Sequence, residues 1–256
     1  MLLALDVGNT QIFAGVFQGD KIQLRFRKDS KTVYSSDEHG LFLRQVLREN
    51  GVDPQKIKHI VVSSVVPEVN HSLASACIKY FGVRPLFLQA GLKTGLKIRT
   101  ANPLEVGSDL IANSMAAVHL FPNENIVVVD CGTANTFSVV SSQKDFLGVS
   151  IVPGLKLAMQ SLQQGTARLP TVEIKVPEKV IGRTTQESIQ CGLYYQAIGM
   201  IKETIHQLKQ HDFKGQSIKV VGTGGMGGLL QSAGVFDVYE PDLVLIGLRL
   251  VFEMNT

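Results

Sequence analysis

At 256 residues the chain has room for one large domain or two modest ones. Hydrophobic residues at 45% and charged residues at 18% give a globular, rather apolar composition, which excludes a disordered chain. The 25 Lys and Arg against 22 Asp and Glu leave a scattered +3, too little for the clustered basic face of a nucleic-acid binder.

Residues 2–7 (LLALDV), 12–17 (IFAGVF) and 21–26 (KIQLRF) read as three strands of an antiparallel meander, turned at Gln18-Gly19-Asp20. The apolar spacing of Leu41, Leu43, Val46 and Leu47 predicts a helix from Ser36, ended by Gly51. A buried strand at 59–66 stops at Pro67, a helix follows over 69–81, and a short strand over 83–88. After Asn102-Pro103, a helix continues through 111–118 with Asp109 in its first turn. The plan then repeats: an apolar strand at 125–130 ends in Asp130, and 136–141 is its hairpin partner. A helix over 181–208 precedes IKVVGTGGMGG, a strand running into a glycine-rich turn. Asp6 and Asp130, half a chain apart, each close an apolar strand and are each followed by a glycine (Gly8, Gly132) and a hydroxyl (Thr10, Thr133). This internal repeat predicts two similar units, residues 1–118 and 119–256.

Cys77, Cys131 and Cys191 have neither CxxC nor Cys/His spacing, so no disulfide framework or zinc site is expected, which favours a reducing cytoplasm. The N-terminus lacks a basic segment, and no stretch approaches the roughly 18 apolar residues of a spanning helix, so no membrane partner is expected. The six histidines show no ligand or triad spacing, and Ser63 and Ser64 lack a G-x-S-x-G elbow.

The D-x-G turns have a bland reading as ordinary hairpin turns and a sharper one as phosphate loops. A nucleoside triphosphate needs backbone N–H groups, small hydroxyls and a carboxylate that holds Mg2+ through water. Asp6-Val7-Gly8-Asn9-Thr10 offers these parts in one turn, and Asp130 with Thr133 offers a second set, so that two lobes would close on one triphosphate. Gly222-Thr223-Gly224-Gly225 suits close backbone approach to a nucleotide. Its G-x-G-x-x-G spacing is not a dinucleotide fingerprint, because too little chain follows for a mononucleotide-binding half. Asp109 reads equally as a helix cap and as a general base.

Together these residues resemble the type III pantothenate kinases, including the Bvg accessory factor group. The pieces that carry the resemblance are DVGNT (6–10), NPLEVGSD (102–109), DCGTANTF (130–137), VPGLKLAMQSLQQGTARLP (152–170), IGRTTQESIQCG (181–192), VVGTGGMGG (220–228) and PDLVLIGL (241–248). The resemblance implies an α/β fold of two actin-like domains with mixed five-stranded sheets. It implies transfer of the γ-phosphoryl of ATP to pantothenate, the first step of coenzyme A biosynthesis, by a homodimer using Mg2+ and a monovalent cation, K+ or NH4+. Carried over by position, Asp6, Val7, Gly8, Asn9, Thr10, Gln11, Ile12 and Phe13 form the first phosphate loop, and Thr133 touches ATP. Gly107, Ser108, Asp109 and Leu110 form the substrate segment, with Asp109 as proton acceptor. Asp130 holds the monovalent cation, and Thr185 reaches the pantothenate of the partner subunit.

The chain departs from the family pattern at the acceptor pocket. Leu110 stands where the family has an Arg able to grip the pantothenate carboxylate in a fork, and Thr100 replaces an aromatic. Asn135 and Val149 replace a Thr and a Gly. A second reading is therefore a nucleotide-binding relative with altered acceptor specificity or no kinase activity, acting as a regulator or scaffold.

Overall fold

In the computed structural model, which describes all residues except 31 and 33, the apolar run Leu2–Val7 forms β1 at the middle of a sheet. Apolar groups on both sides of this strand suit a position covered on both faces. Strands β2 (Gln11–Gln18) and β3 (Lys21–Asp29) complete the meander, with Gly19 at φ +63° in the two-residue turn, a conformation glycine adopts without steric cost. Helix α1 (Ser36–Glu49) starts in a capping box between Ser35 and Glu38, and β4 (His59–Ser64) pairs parallel to β1. Helix α2 (Pro67–Phe81) takes Pro67 in its first turn, which extends it two residues beyond the expected start and shortens β4. Only Leu86–Phe87 of the expected strand at 83–88 is regular (β5).

Next come β6 (Lys97–Ile98), α3 (Ser108–Leu120), β7 (Ile126–Cys131), β8 (Ala134–Val140) and β9 (Asp145–Pro153). Helix α4 (Leu155–Gly165) follows, then α5 (Thr185–His211), which begins four residues later than expected because Thr184 and Glu187 form a capping box there. The chain ends with β10 (Lys219–Thr223), α6 (Gly227–Gln231), β11 (Val238–Tyr239) and α7 (Leu243–Asn255).

The first sheet has the order β3-β2-β1-β4-β5, and the second contains the same arrangement as β9-β8-β7-β10-β11. In each, the meander is antiparallel and the other two strands run parallel to its first strand. The repeat read from Asp6 and Asp130 is thus a repeat of topology, the plan of an actin-like domain. The second sheet departs from five strands by the two-residue β6, which pairs with β9.

The chain divides into two compact units: Met1–Gly95, Asn102–Ala116 and Leu243–Thr256 form one, and Leu96–Ala101 with Ala117–Asp242 the other. A single cut after residue 118 does not describe this division, because α7 returns to the first unit. There Leu245 packs on Gly15 of β2, and a Cβ on Gly247 would collide with the Ala112 carbonyl of α3. Each unit has its own apolar core, centred on Leu3, Leu5 and Val62 in the first and on Val127, Val129 and Ile201 in the second. Among the described residues, no helix is long and apolar enough to cross a membrane.

His39 on α1 is 1% exposed, and burial, reinforced by the Lys28 charge, pushes its pKa down from 6.5 to about 4. Between these two values the unfolded chain binds a proton that the folded chain does not, so stability falls as pH drops through this window. The expected loss from pH 7 to pH 5 is about 1 kcal/mol after allowance for solvent screening. Urea midpoints at the two pH values should show it, and a His39→Gln variant should show a flatter profile. Equal pH dependence in the two proteins would refute the assignment.

Candidate active site

Within the first unit, β1 ends in Asp6 and the chain turns through Gly8-Asn9-Thr10 into β2. The turn is tight, with Gly8 N donating to the Gln11 carbonyl at 3.1 Å. Ser30, at the end of β3, fixes it from outside: its hydroxyl donates to Gly8 O at 2.5 Å, and its N–H donates to Thr10 O at 3.1 Å. Sequence reasoning missed Ser30, because only the folded meander brings it to the loop. On the expectation that this turn is a phosphate loop, replacing Ser30 by Ala should leave the fold intact and raise the KM for a nucleoside triphosphate about fivefold, the equivalent of one hydrogen bond of about 1 kcal/mol. An unchanged KM would show that the loop holds its shape without it.

Asp6 pairs in register with Ser63 of β4 and Phe13 of β2, and Phe13 with Arg27 of β3. Register partners project to the same face, so these four side chains form one row across the sheet. Arg27 lies over the Phe13 ring at 4.2 Å. The segment NPLEVGSD meets the same row. Asn102 caps a short 3-10 turn at Pro103–Glu105, which delivers Gly107 and Ser108 to the start of α3. There Ser108 Oγ lies 2.9 Å from Ser63 Oγ and accepts from Ser64 N at 3.0 Å. Ser108, the residue before Asp109, is thereby bound to the strand position in register with Asp6, within one unit. Asp109 Oδ1 accepts from Leu110 N at 2.8 Å, and a Cβ on Gly107 would approach that oxygen to 2.5 Å, so the glycine leaves room for the carboxylate. Burial raises the Asp109 pKa above the ordinary carboxylate value, while the Leu110 N–H partly offsets the rise.

In the second unit, Asp130 near the end of β7 pairs with Thr136 of β8 and Thr223 of β10. The turn after β10 lies directly on it: a Cβ on Gly224, whose φ is +85°, would collide with Asp130 Oδ1 and crowd Cys131 N at 2.6 Å. Tyr239 of β11, also missed in the sequence, donates its hydroxyl to Gly224 O at 2.9 Å. The loop Cys131-Gly132-Thr133 is closed from outside by Gly154, whose N–H donates to Thr133 O at 3.0 Å. Thr136 Oγ1 is buried with no hydrogen-bond partner among the described residues.

The family model for type III pantothenate kinases matches residues 2–207. The chain is 52% identical over its whole length to the type III pantothenate kinase of Legionella pneumophila strain Corby, all of which is covered. To that of Elusimicrobium minutum it is 48% identical, covering 100% of this chain and 99% of the relative. The chain belongs to the type III pantothenate kinase family.

Among solved structures, a Baf family protein from Campylobacter jejuni superposes with a TM-score of 0.59 at 20% identity, covering 98% of this chain and 97% of that one, a likeness of fold. With family membership established, the departures at the acceptor segment take on structural meaning. Leu110 is 7% exposed, so its side chain belongs to the packing of α3 rather than to an open pocket, and its N–H already serves Asp109. Thr100 carries a buried hydroxyl with no partner among the described residues. Thr185 is the first residue of α5 and is exposed, next to the capping pair.

Proposed function

We propose that the chain transfers the γ-phosphoryl group of ATP to the primary hydroxyl of pantothenate, with Asp109 as the base. The observation that supports this reading, beside family membership, is the hydrogen bond between Ser108, the residue before Asp109, and Ser63, the register partner of Asp6. A desolvated carboxylate with a raised pKa is a better proton acceptor than an exposed one, which suits it to a substrate hydroxyl. In a loose phosphoryl-transfer transition state, positioning and electrostatics do most of the work. In this reading the Gly8–Thr10 turn, held by Ser30, is the phosphate loop, with Thr133 contributing to nucleotide binding. The residues fit the implied ions. A divalent ion bound through water and phosphate oxygens needs few protein ligands, which suits Asp6. Among the described residues no cluster of three or more His, Cys, Asp or Glu is gathered for a metal. For a monovalent cation, the Asp130 carboxylate stands in register with the partnerless Thr136 hydroxyl, an oxygen donor set. When bound, the ions neutralise charge developing on the phosphates. In this reading the enzyme is a cytoplasmic homodimer in which Thr185 reaches the partner's pantothenate.

The test is ADP release from Mg-ATP with and without pantothenate, in K+ and in Na+. A pantothenate-dependent rate stimulated by K+ is expected. A folded protein with no dependence even at high pantothenate would overturn the reading.

A further inference from the structure

Ser63 is fully buried in β4, directly after the buried apolar residues Ile60, Val61 and Val62, and it has no part in the reaction described above. Its environment explains the hydroxyl. Ser108 Oγ donates to Ser64 O at 3.2 Å and accepts from Ser64 N at 3.0 Å, which leaves it one acceptor site for the Ser63 hydroxyl at 2.9 Å. All the hydrogen-bonding capacity of Ser108 is thus directed at β4. A serine at a helix start ordinarily turns its hydroxyl back onto its own helix; here it anchors the helix to the sheet. The anchored turn carries Asp109, and the strand position that anchors it is the register partner of Asp6.

We infer that Ser63 is a positioning residue, whose hydroxyl, through Ser108, sets the first turn of α3 and hence the Asp109 carboxylate. The inference rests on the proposed reading of Asp109 as the base. Displacing a reacting group by about 1 Å can cost up to about 100-fold in rate, so a hydrogen-bonded clamp between base and phosphate loop has a kinetic effect beyond its contribution to packing.

The experiment uses Ser63→Ala, Ser108→Ala, the double variant and Ser108→Thr, which keeps a hydroxyl. Each single Ala variant should lower kcat about tenfold, and in Ser63→Ala the KM for ATP and pantothenate should stay within twofold of the parent. The double variant should be no slower than the slower single, and Ser108→Thr should recover most of the rate. An unchanged kcat in Ser63→Ala, or losses that multiply in the double variant, would overturn the clamp. Amide hydrogen exchange over 110–113 supplies a readout independent of turnover. It should quicken about tenfold in Ser63→Ala, with β1 and α7 unaffected, and no local change would refute the inference. If the parent shows no pantothenate-dependent turnover while exchange responds as expected, the base assignment has failed and the clamp stands.

Discussion

An Asp109→Asn variant should lose about 10²- to 10⁴-fold in kcat, the usual contribution of a positioned base, without losing stability. Burial is the main reason its pKa lies above the ordinary carboxylate value, so the ionised form is disfavoured in the folded state. Above that raised value the folded protein carries the cost of a desolvated charge, and the neutral amide removes it. The Asn oxygen can still accept from Leu110 N, so the local turn is kept. The pH dependence has a definite sign. As the proposed base, Asp109 can accept a proton only when ionised, so kcat/KM should fall as pH drops through its raised pKa, and this acid limb should vanish from the residual activity of the variant. Steady-state ADP release between pH 4.5 and 8, paired with thermal midpoints, checks both points. A variant that keeps a third of the activity, or the same acid limb, would remove Asp109 from the role of base.

Gly224→Ala should be the most damaging change in the second unit. The new Cβ would meet Asp130 Oδ1 together with Cys131 N and C, and the φ of +85° disfavours any residue with a side chain by roughly 1–2 kcal/mol. The turn has little freedom to yield: Gly224 O holds the Tyr239 hydroxyl at 2.9 Å and Gly227 N at 3.1 Å, and Met226 N is bonded to Cys131 O at 2.9 Å. The Asp130 carboxylate must move instead. In the proposed reading, in which Asp130 holds the monovalent cation, the expected result is loss of K+ stimulation and of most turnover, along with a lower melting temperature. Gly199→Ala, at an exposed position of α5 where a Cβ meets nothing within 4 Å, is the control and should be neutral or slightly stabilising. Normal K+ activation in Gly224→Ala would show that Asp130 is not held by this turn.

The strands were legible where apolar runs ended in sharp turns: β1, β2 and β7 lie within a residue or so of their expected limits. The internal repeat also survived, because Asp6 and Asp130 terminate equivalent central strands. Less visible were β9, whose exposed and half-buried residues lack a clean alternation, and the two-residue β6 and β11, which exist only by pairing with neighbours. The late start of α5 was encoded in Thr184 and Glu187, a capping box that the longer helical pattern obscured. Ser30 and Tyr239 left no local signal, since each acts on a loop distant in sequence.

The sequence by itself determined the strand ends that carry Asp6 and Asp130, the helix start that carries Asp109, and the family to which these belong. These are local patterns of apolar runs, turn glycines and capping residues, and local patterns act over a few residues. The tertiary structure decided that α7 closes on the first unit, that Leu110 turns into the packing of α3, and that Ser63 meets Ser108. Those outcomes depend on strand register and on which faces pack together, and register is a relation between segments that no single segment specifies.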